Sequence, residues 1–320
     1  MIPPDAAAAC SVAPESVFVV PVHSREAYRG AHKVHRFHDE FHHRSFHSNF
    51  AGMTTVAATP HLPDVSQRLA ARMRPPGNAV MFQQWRDLLF LHWEYPAAAI
   101  QATLPEGLFV DTFGGKAYLG VVPFFMRKIR PRFLPAVPGI SDFMEMNLRT
   151  YVHDRAGVPG VWFYSLDANQ WLAVKIARRF FHLPYEHAEM KSSRTAEARI
   201  RYESLRTGAR AKGARCVFDY APGAEVPQPA PGSLEFFLVE RYRLYSSAPD
   251  GLRRGAVFHE PYPLCHADVM AWDEQLLALD GFTPTGRAPD HVTMSRGVDV
   301  TIFPLERLGK ALDAMEARAY

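Results

Sequence analysis

The run Glu145-Met146-Asn147-Leu148-Arg149-Thr150-Tyr151 places an acid, an amide, a guanidinium and a phenol at every second position. Alternate side chains of a strand share a face, so Glu145, Asn147, Arg149 and Tyr151 form one polar row backed by Met146 and Leu148. Phe143 precedes the row, Val152 follows it, and a second apolar-rich run, Val161 to Leu166, lies a short turn away. Turned to water, the row is an ordinary surface; turned into a barrel or cleft, it is a binding site. Neighbours in the row lie roughly 7 Å apart and Glu145 about 13 Å from Arg149, too far to pair directly. If buried, each needs another partner, because an unpaired buried charge costs as much as a domain's whole stability margin. Balancing groups are expected from the alternating segment His187 to Lys191 and from His92, which sits between Leu91 and Trp93.

The 320 residues allow two average domains or one large domain with extensions. With 48% hydrophobic and 22% charged residues the chain reads as globular, and no apolar run approaches the length of a membrane helix. A net charge of +3 argues against a dedicated nucleic-acid binder. Cys10, Cys216 and Cys265 are far apart and in no CxxC spacing, so neither a disulfide framework nor a thiolate zinc site is indicated. No basic leader precedes an apolar core at the N-terminus, and reduced thiols fit a cytoplasmic protein.

Residues 1–78 differ from the rest, holding eight of the fifteen histidines and little sustained hydrophobic period. They read as a mostly disordered extension with one short helix after Asp64, ended by Pro75-Pro76-Gly77. His32, His35, His38 and His42 have helical spacing, but no cap or apolar stripe anchors such a helix, so no metal site is expected. From residue 79 to about 305 strand patterns dominate. They include Leu88 to Tyr95, a long strand Lys116 to Arg130 interrupted at Pro123, the polar row, Val161 to Leu166, His187 to Ser193, Arg199 to Ser204, Arg215 to Tyr220, Ala256 to Glu260 and Val298 to Phe303. Helices are expected at about 96–103, at 169–182 capped by Asp167 or Asn169, after Ser233, near Val269 to Leu279, and from Pro304 through the C-terminal segment 306–320. Many strands with few helices favour a mainly β, α+β domain.

No Walker loop, GxGxxG, HExxH or GxSxG is present, and no cofactor is expected. Lysine is scarce, seven of the 36 basic residues, and Lys191 is the best placed for covalent chemistry, in a strand among charged residues. A Schiff-base lysine needs a lowered pKa, which Glu189 would oppose if both faced inward.

Five further strings identify a family: HWEYPAAAIQATLPEGLFVD from His92, GVWFYSLDA from Gly160, LPYEHAEM from Leu183, GSLEFFLVERYRLYS from Gly232 and HEPYPL from His259. In this order they closely resemble the YqjF-like uncharacterised bacterial family, over about Met81 to Phe303. That family is grouped with the acetoacetate decarboxylase-like superfamily, so the resemblance implies a cone-shaped antiparallel β-barrel enclosing a ligand cavity. In true acetoacetate decarboxylases a helix ending in proline is followed by paired lysines, one forming the Schiff base. Here Ala177-Arg178 and Pro184 match the helix and proline, whereas Tyr185 and Glu186 occupy the lysine positions. The decarboxylase mechanism does not carry over on these residues, and Lys191 replaces the lysine only if its strand enters the same cavity.

The expectation is a protein holding a small carboxylate- or carbonyl-bearing metabolite in a barrel. Arg149 would pair with a carboxylate, Glu145 would act as acid/base, and Asn147, His92, Tyr151 and Tyr185 would add hydrogen bonds. The alternatives are a lyase or decarboxylase working through Lys191, and a structural or partner-binding protein with Glu145 and Arg149 on its outer surface. No nucleic-acid or membrane partner is expected, and free strand edges permit a homo-oligomer.

Overall fold

The structure is a computed structural model and describes residues 60–207 and 214–309. In chain order it contains helix α1 (Val65–Arg72), strand β1 (Met81–Tyr95), α2 (Ala97–Gln101), β2 (Leu108–Val110), β3 (Ala117–Pro131), β4 (Phe143–Asp154) and β5 (Pro159–Ala168). There follow α3 (Trp171–Phe180), β6 (Tyr185–Arg194), β7 (Ile200–Arg206), β8 (Arg215–Glu225), α4 (Leu234–Val239), β9 (Arg243–Ala248) and β10 (Gly251–Phe258). Strand β11 (Leu264–Ala271), α5 (Gln275–Leu279), β12 (His291–Ile302) and β13 (Glu306–Arg307) complete the described fold. The mainly β architecture read from the sequence is what forms. The histidine cluster and the segment 310–320 lie outside the described residues.

All thirteen strands belong to one sheet, and the sheet forks. Strands β12, β1, β3, β4 and β5 form a common wall. One branch returns from β5 to β12 through β6, β7, β8 and β11; the other returns through β9 and β10. Each branch closes a ring on the common wall, and each ring encloses its own core. Met144, Met146 and Leu148 of β4 join Ala188, Tyr202 and Phe218 in the first. Phe143 and Tyr151 join Phe90, Phe237 and Val257 in the second. Every residue of β4 is therefore buried, whichever way it points. Pairings are antiparallel except where β5 meets β6 and β9, which are parallel to it.

Strand β1 serves both rings by changing phase. Met81, Gln83 and Trp85 face the second ring, as do Leu88 and Phe90 further on, so the alternation slips by one residue between them. The slip falls at Asp87, whose φ of 52° marks a bulge. Opposite lies Gly297 at φ 133°, paired with Arg86, where any Cβ would overlap the Trp85 carbonyl. The β1–β3 ladder skips from Arg86↔Phe125 to Leu91↔Val121. Pro123, with no N–H to donate, sits in that gap, which is why it does not interrupt β3 as its sequence position suggests.

Several local expectations are corrected. Residues 264–271 continue as β11 because β8 offers backbone partners, as in Val269↔Tyr220, leaving only Gln275–Leu279 helical. Gln170 rather than Asp167 or Asn169 caps α3, since Asp167 is committed to Arg206 and the Asn169 amide oxygen to the Met144 N–H. Past Pro304 the chain forms a short strand, Glu306–Arg307, on β10 rather than starting a helix.

Helix α1, the short helix expected after Asp64 within a mostly disordered extension, is tied to the barrel. Its Asp64 and Gln67 form a capping box, and no residue of the helix is fully buried. Its hold comes instead from Arg68, whose two terminal nitrogens grip the Asp111 carboxylate at 2.6 and 2.7 Å, while Arg241 donates to the same carboxylate at 2.8 Å. Burial pushes Asp111 upward, but Arg241 and Arg68 outweigh it and hold the carboxyl below its usual range. Arg68→Ala should cost about 2 kcal/mol, because Arg241 still neutralises Asp111, whereas Asp111→Ala should cost about 3–5 kcal/mol by stranding the buried Arg241. Urea unfolding of both variants checks the ranking; equal costs would contradict this role for Arg241.

Candidate functional site

The second ring encloses a cavity of about 410 Å³ beneath α3 and the β3–β4 loop. Its walls are predominantly apolar, with Trp85, Met126, Phe143, Leu172, Leu183 and Val257 among them, and Glu145 and Tyr185 face into it. The polar row is inward: Glu145 is 2% exposed and Arg149 8%, with Asn147 and Tyr151 also buried. A strand walled on both sides has no outward face, so the alternative with both charged groups on an outer surface is overturned.

Glu145 has no cationic partner among the described residues. The Tyr185 hydroxyl donates to its Oε2 at 2.7 Å, and Tyr202 donates to its backbone carbonyl at 2.8 Å. Burial raises its carboxyl to about 8, opposed in part by Tyr185 and the Asn147 amide and reinforced by Asp167. The balancing charge expected from the sequence is thus replaced by a proton: at neutral pH Glu145 is an uncharged acid. Burial and the adjoining Glu145 push the Tyr185 phenol well above its usual range, so it remains a donor.

Arg149, further along the row, lies apart from this pair. Its Nη2 donates to the Leu238 carbonyl at 3.3 Å, near the C-terminus of α4, where helix carbonyls are left without internal partners. The guanidinium stacks near Phe90 and Tyr151, at 5.5 and 5.8 Å from their ring centres. No carboxylate among the described residues pairs with it, and its Nε is without a hydrogen-bond partner. Asn147 Oδ1, between Glu145 and Arg149 in the row, is likewise unpartnered.

His92 and Tyr151 brace this end of the row. The Tyr151 hydroxyl donates to the Leu238 carbonyl at 2.9 Å, so it must accept from His92 Nε2 at 2.7 Å. His92 Nδ1 is then unprotonated and accepts from His291 Nδ1 at 3.0 Å. Burial, then His291 and Arg149, hold His92 neutral, consistent with that tautomer. Both ring nitrogens are engaged, so His92 positions Tyr151 rather than offering a hydrogen bond of its own. Gly120 makes this contact possible, because a Cβ there would lie 3.0 Å from the His92 ring.

Lys191 does not join the site. Tyr185 and Lys191 are both odd-numbered in β6, but the strand pairs with β5 only through His187 and then runs beside β7. The ring around the cavity passes instead from β5 to β9, so beyond His187 the odd face of β6 looks out to solvent and Lys191 is exposed beside Glu203. The other described lysines, Lys116, Lys128 and Lys175, are exposed as well.

Sequence reasoning gave no role to His259, whose Nε2 is an unpartnered buried nitrogen and whose ring centre lies 5.9 Å from Trp85. Burial lowers it to about 4, so it is neutral. The HEPYPL string contained it, but nothing in its spacing linked it to β4.

Comparison with known proteins agrees with this architecture. Over 233 residues the chain is 40% identical to the uncharacterized protein YqjF of Bacillus subtilis (strain 168), covering 73% of this chain and 94% of that protein. Among solved structures it is similar to acetoacetate decarboxylase from Legionella pneumophila, with a TM-score of 0.51 and 11% identity over 79% of this chain and 98% of that one. It is also similar to the enduracididine biosynthesis enzyme MppR complexed with pyruvate, with a TM-score of 0.50 and 14% identity over 73% of this chain and 91% of that one. At these identities the two structures establish the shared acetoacetate decarboxylase-like fold and nothing finer. Residues 82–299 match the family described as uncharacterized conserved protein (COG2071), and the chain belongs to that family.

Proposed function

We propose that the protein binds a small carbonyl- or carboxylate-containing molecule in the cavity of the second ring, with Glu145 as its central polar contact. The observation that carries this reading is a carboxyl buried in an apolar cavity with a tyrosine donor and no cationic partner among the described residues. Because Tyr185 donates to Oε2, the protonated acid can offer its hydrogen from Oε1 to a ligand carbonyl, as either a binding group or a general acid. A cavity of about 410 Å³ suits a compact organic molecule whose apolar part fills the rest. Arg149 lies beyond the residues that line this cavity, so it would serve as counterion only to a carboxylate on a molecule long enough to reach past Asn147, with His92 and Tyr151 holding Arg149's surroundings in place. Pyruvate, carried by MppR of the same fold, belongs to this chemical class.

The lyase reading through Lys191 gains no support from an exposed lysine. Borohydride reduction in the presence of pyruvate or acetoacetate should leave the protein's mass unchanged. A lysine adduct located by peptide mapping would contradict the noncovalent reading.

Glu145 also makes a signed prediction about stability. Its folded pKa of about 8 lies above the ordinary value of 4.5, so the native state keeps a proton that the unfolded chain releases. Its contribution is fully present below about pH 4.5 and is lost as pH rises to about 8, at up to about 1.4 kcal/mol per pH unit. Glu145→Gln should therefore grow steadily more stable relative to wild type across that window, as measured by urea unfolding. A difference independent of pH would contradict a buried neutral acid.

A thermal-shift screen of short keto acids, hydroxy acids and alkyl ketones tests binding itself. Affinity for a hit bearing a carbonyl should fall in the wild type as pH rises past about 8. Affinity of Glu145→Gln, whose amide can still donate, should not. No stabilising compound, or one whose affinity is unmoved by pH or by Glu145→Ala, would overturn the assignment.

A further inference from the structure

The mouth of the cavity is bordered by the β3–β4 loop and α3, held together where Gln170 Nε2 donates to the Gly139 carbonyl at 3.0 Å. Both elements expose large apolar side chains: Phe133 is 85% exposed, Phe180 66%, Leu134 58% and Trp171 57%. Val137, Ile140 and Ile176 are exposed beside them, and each also lines the cavity, which thus opens in the middle of the patch. An apolar surface that gathers around an opening in this way marks an interaction site.

Cations dominate the charge around the patch, with exposed Asp142, at the end of the β3–β4 loop, accepting from the Lys128 N–H. Residues 127–141 and 168–185 carry Arg127, Lys128, Arg130, Arg132, Lys175, Arg178 and Arg179 and no acidic residue. Three of these cations lie against the exposed aromatics, Arg132 over Phe133 at 5.0 Å, Lys175 over Trp171 at 4.7 Å and Arg179 over Phe180 at 5.8 Å. Arg178 is paired with Glu186; the other six have no carboxylate within ion-pair distance among the described residues.

We infer that this face docks on an anionic lipid bilayer, with Phe133, Leu134, Trp171 and Phe180 entering the interface and the surrounding arginines and lysines contacting lipid phosphates. Charge complementarity selects this occupant. A second copy seated symmetrically on the same face would set these cations against their own kind. Phe133, Trp171 and Phe180 offer planes to a nucleic-acid base, but Leu134, Val137, Ile140 and Ile176, which share the face, offer none and gain only from acyl chains. Docking would place the cavity mouth against the membrane, giving an apolar ligand a path that avoids water. The lack of a membrane partner expected from the sequence rested on the lack of a long apolar run, which bears on spanning a bilayer and not on lying against one.

The test uses the full chain and no cavity ligand, so its outcome is independent of the reading of Glu145. Co-sedimentation with phosphatidylcholine vesicles is compared with mixed phosphatidylcholine–phosphatidylglycerol vesicles at low and high salt. Binding should appear only on the anionic vesicles, weaken with salt, and drop at least about tenfold both in Phe133→Ser/Phe180→Ser and in Arg132→Glu/Arg179→Glu. Phe133, Arg179 and Phe180 are exposed and Arg132 is half-buried, so thermal melting should confirm folded variants. Failure to bind anionic vesicles, or retained binding in both variants, would overturn the inference. So would a dimer in light scattering that Phe133→Ser dissociates, or tighter binding to a single-stranded oligonucleotide than to the vesicles.

Discussion

A strand buried on both faces has no place to send a polar side chain except into protein, and β4 is such a strand. The two rings of the forked sheet share it, so Met144, Met146 and Leu148 fill one core while Phe143 and Tyr151 enter the other. Everything distinctive about the site follows from that enclosure. Glu145 is driven to keep its proton, Arg149 is directed to a helix carbonyl, and Asn147 is left between them with an unpartnered oxygen.

The row therefore works in two halves. Around Glu145 the cavity is wide and apolar, and the acid with its tyrosine offers hydrogen bonds without net charge. Around Arg149 the interior is tighter and aromatic, and the chain from His291 through His92 and Tyr151 to the Leu238 carbonyl fixes the surroundings of a guanidinium that no described carboxylate neutralises. One half suits a neutral acceptor and the other an anion.

Much of this was legible in the chain. Period-two alternation identified the row, and the ordered motifs that resemble the family supplied the barrel which turns it inward. The neutral state of Glu145 was not legible, because it depends on which side chains from distant strands surround it; sequence spacing showed only that Arg149 was too far to pair. Lys191 shows the limit of alternation most clearly. It shares a face with Tyr185, yet that face lines the cavity at one end of β6 and meets solvent at the other, because the ring leaves the strand between them. The grip of α1 was equally hidden, since Arg68 and Asp111 are 43 positions apart and no local pattern links them.

The direct measurement is the protonation state of Glu145. Infrared difference spectra of wild type and Glu145→Gln at neutral pH should show the carbonyl stretch of a buried protonated carboxyl in the wild type alone, disappearing as pH rises past about 8. A wild-type spectrum showing only ionised carboxylate at neutral pH, unchanged by the substitution except for the lost carboxylate band, would contradict the account.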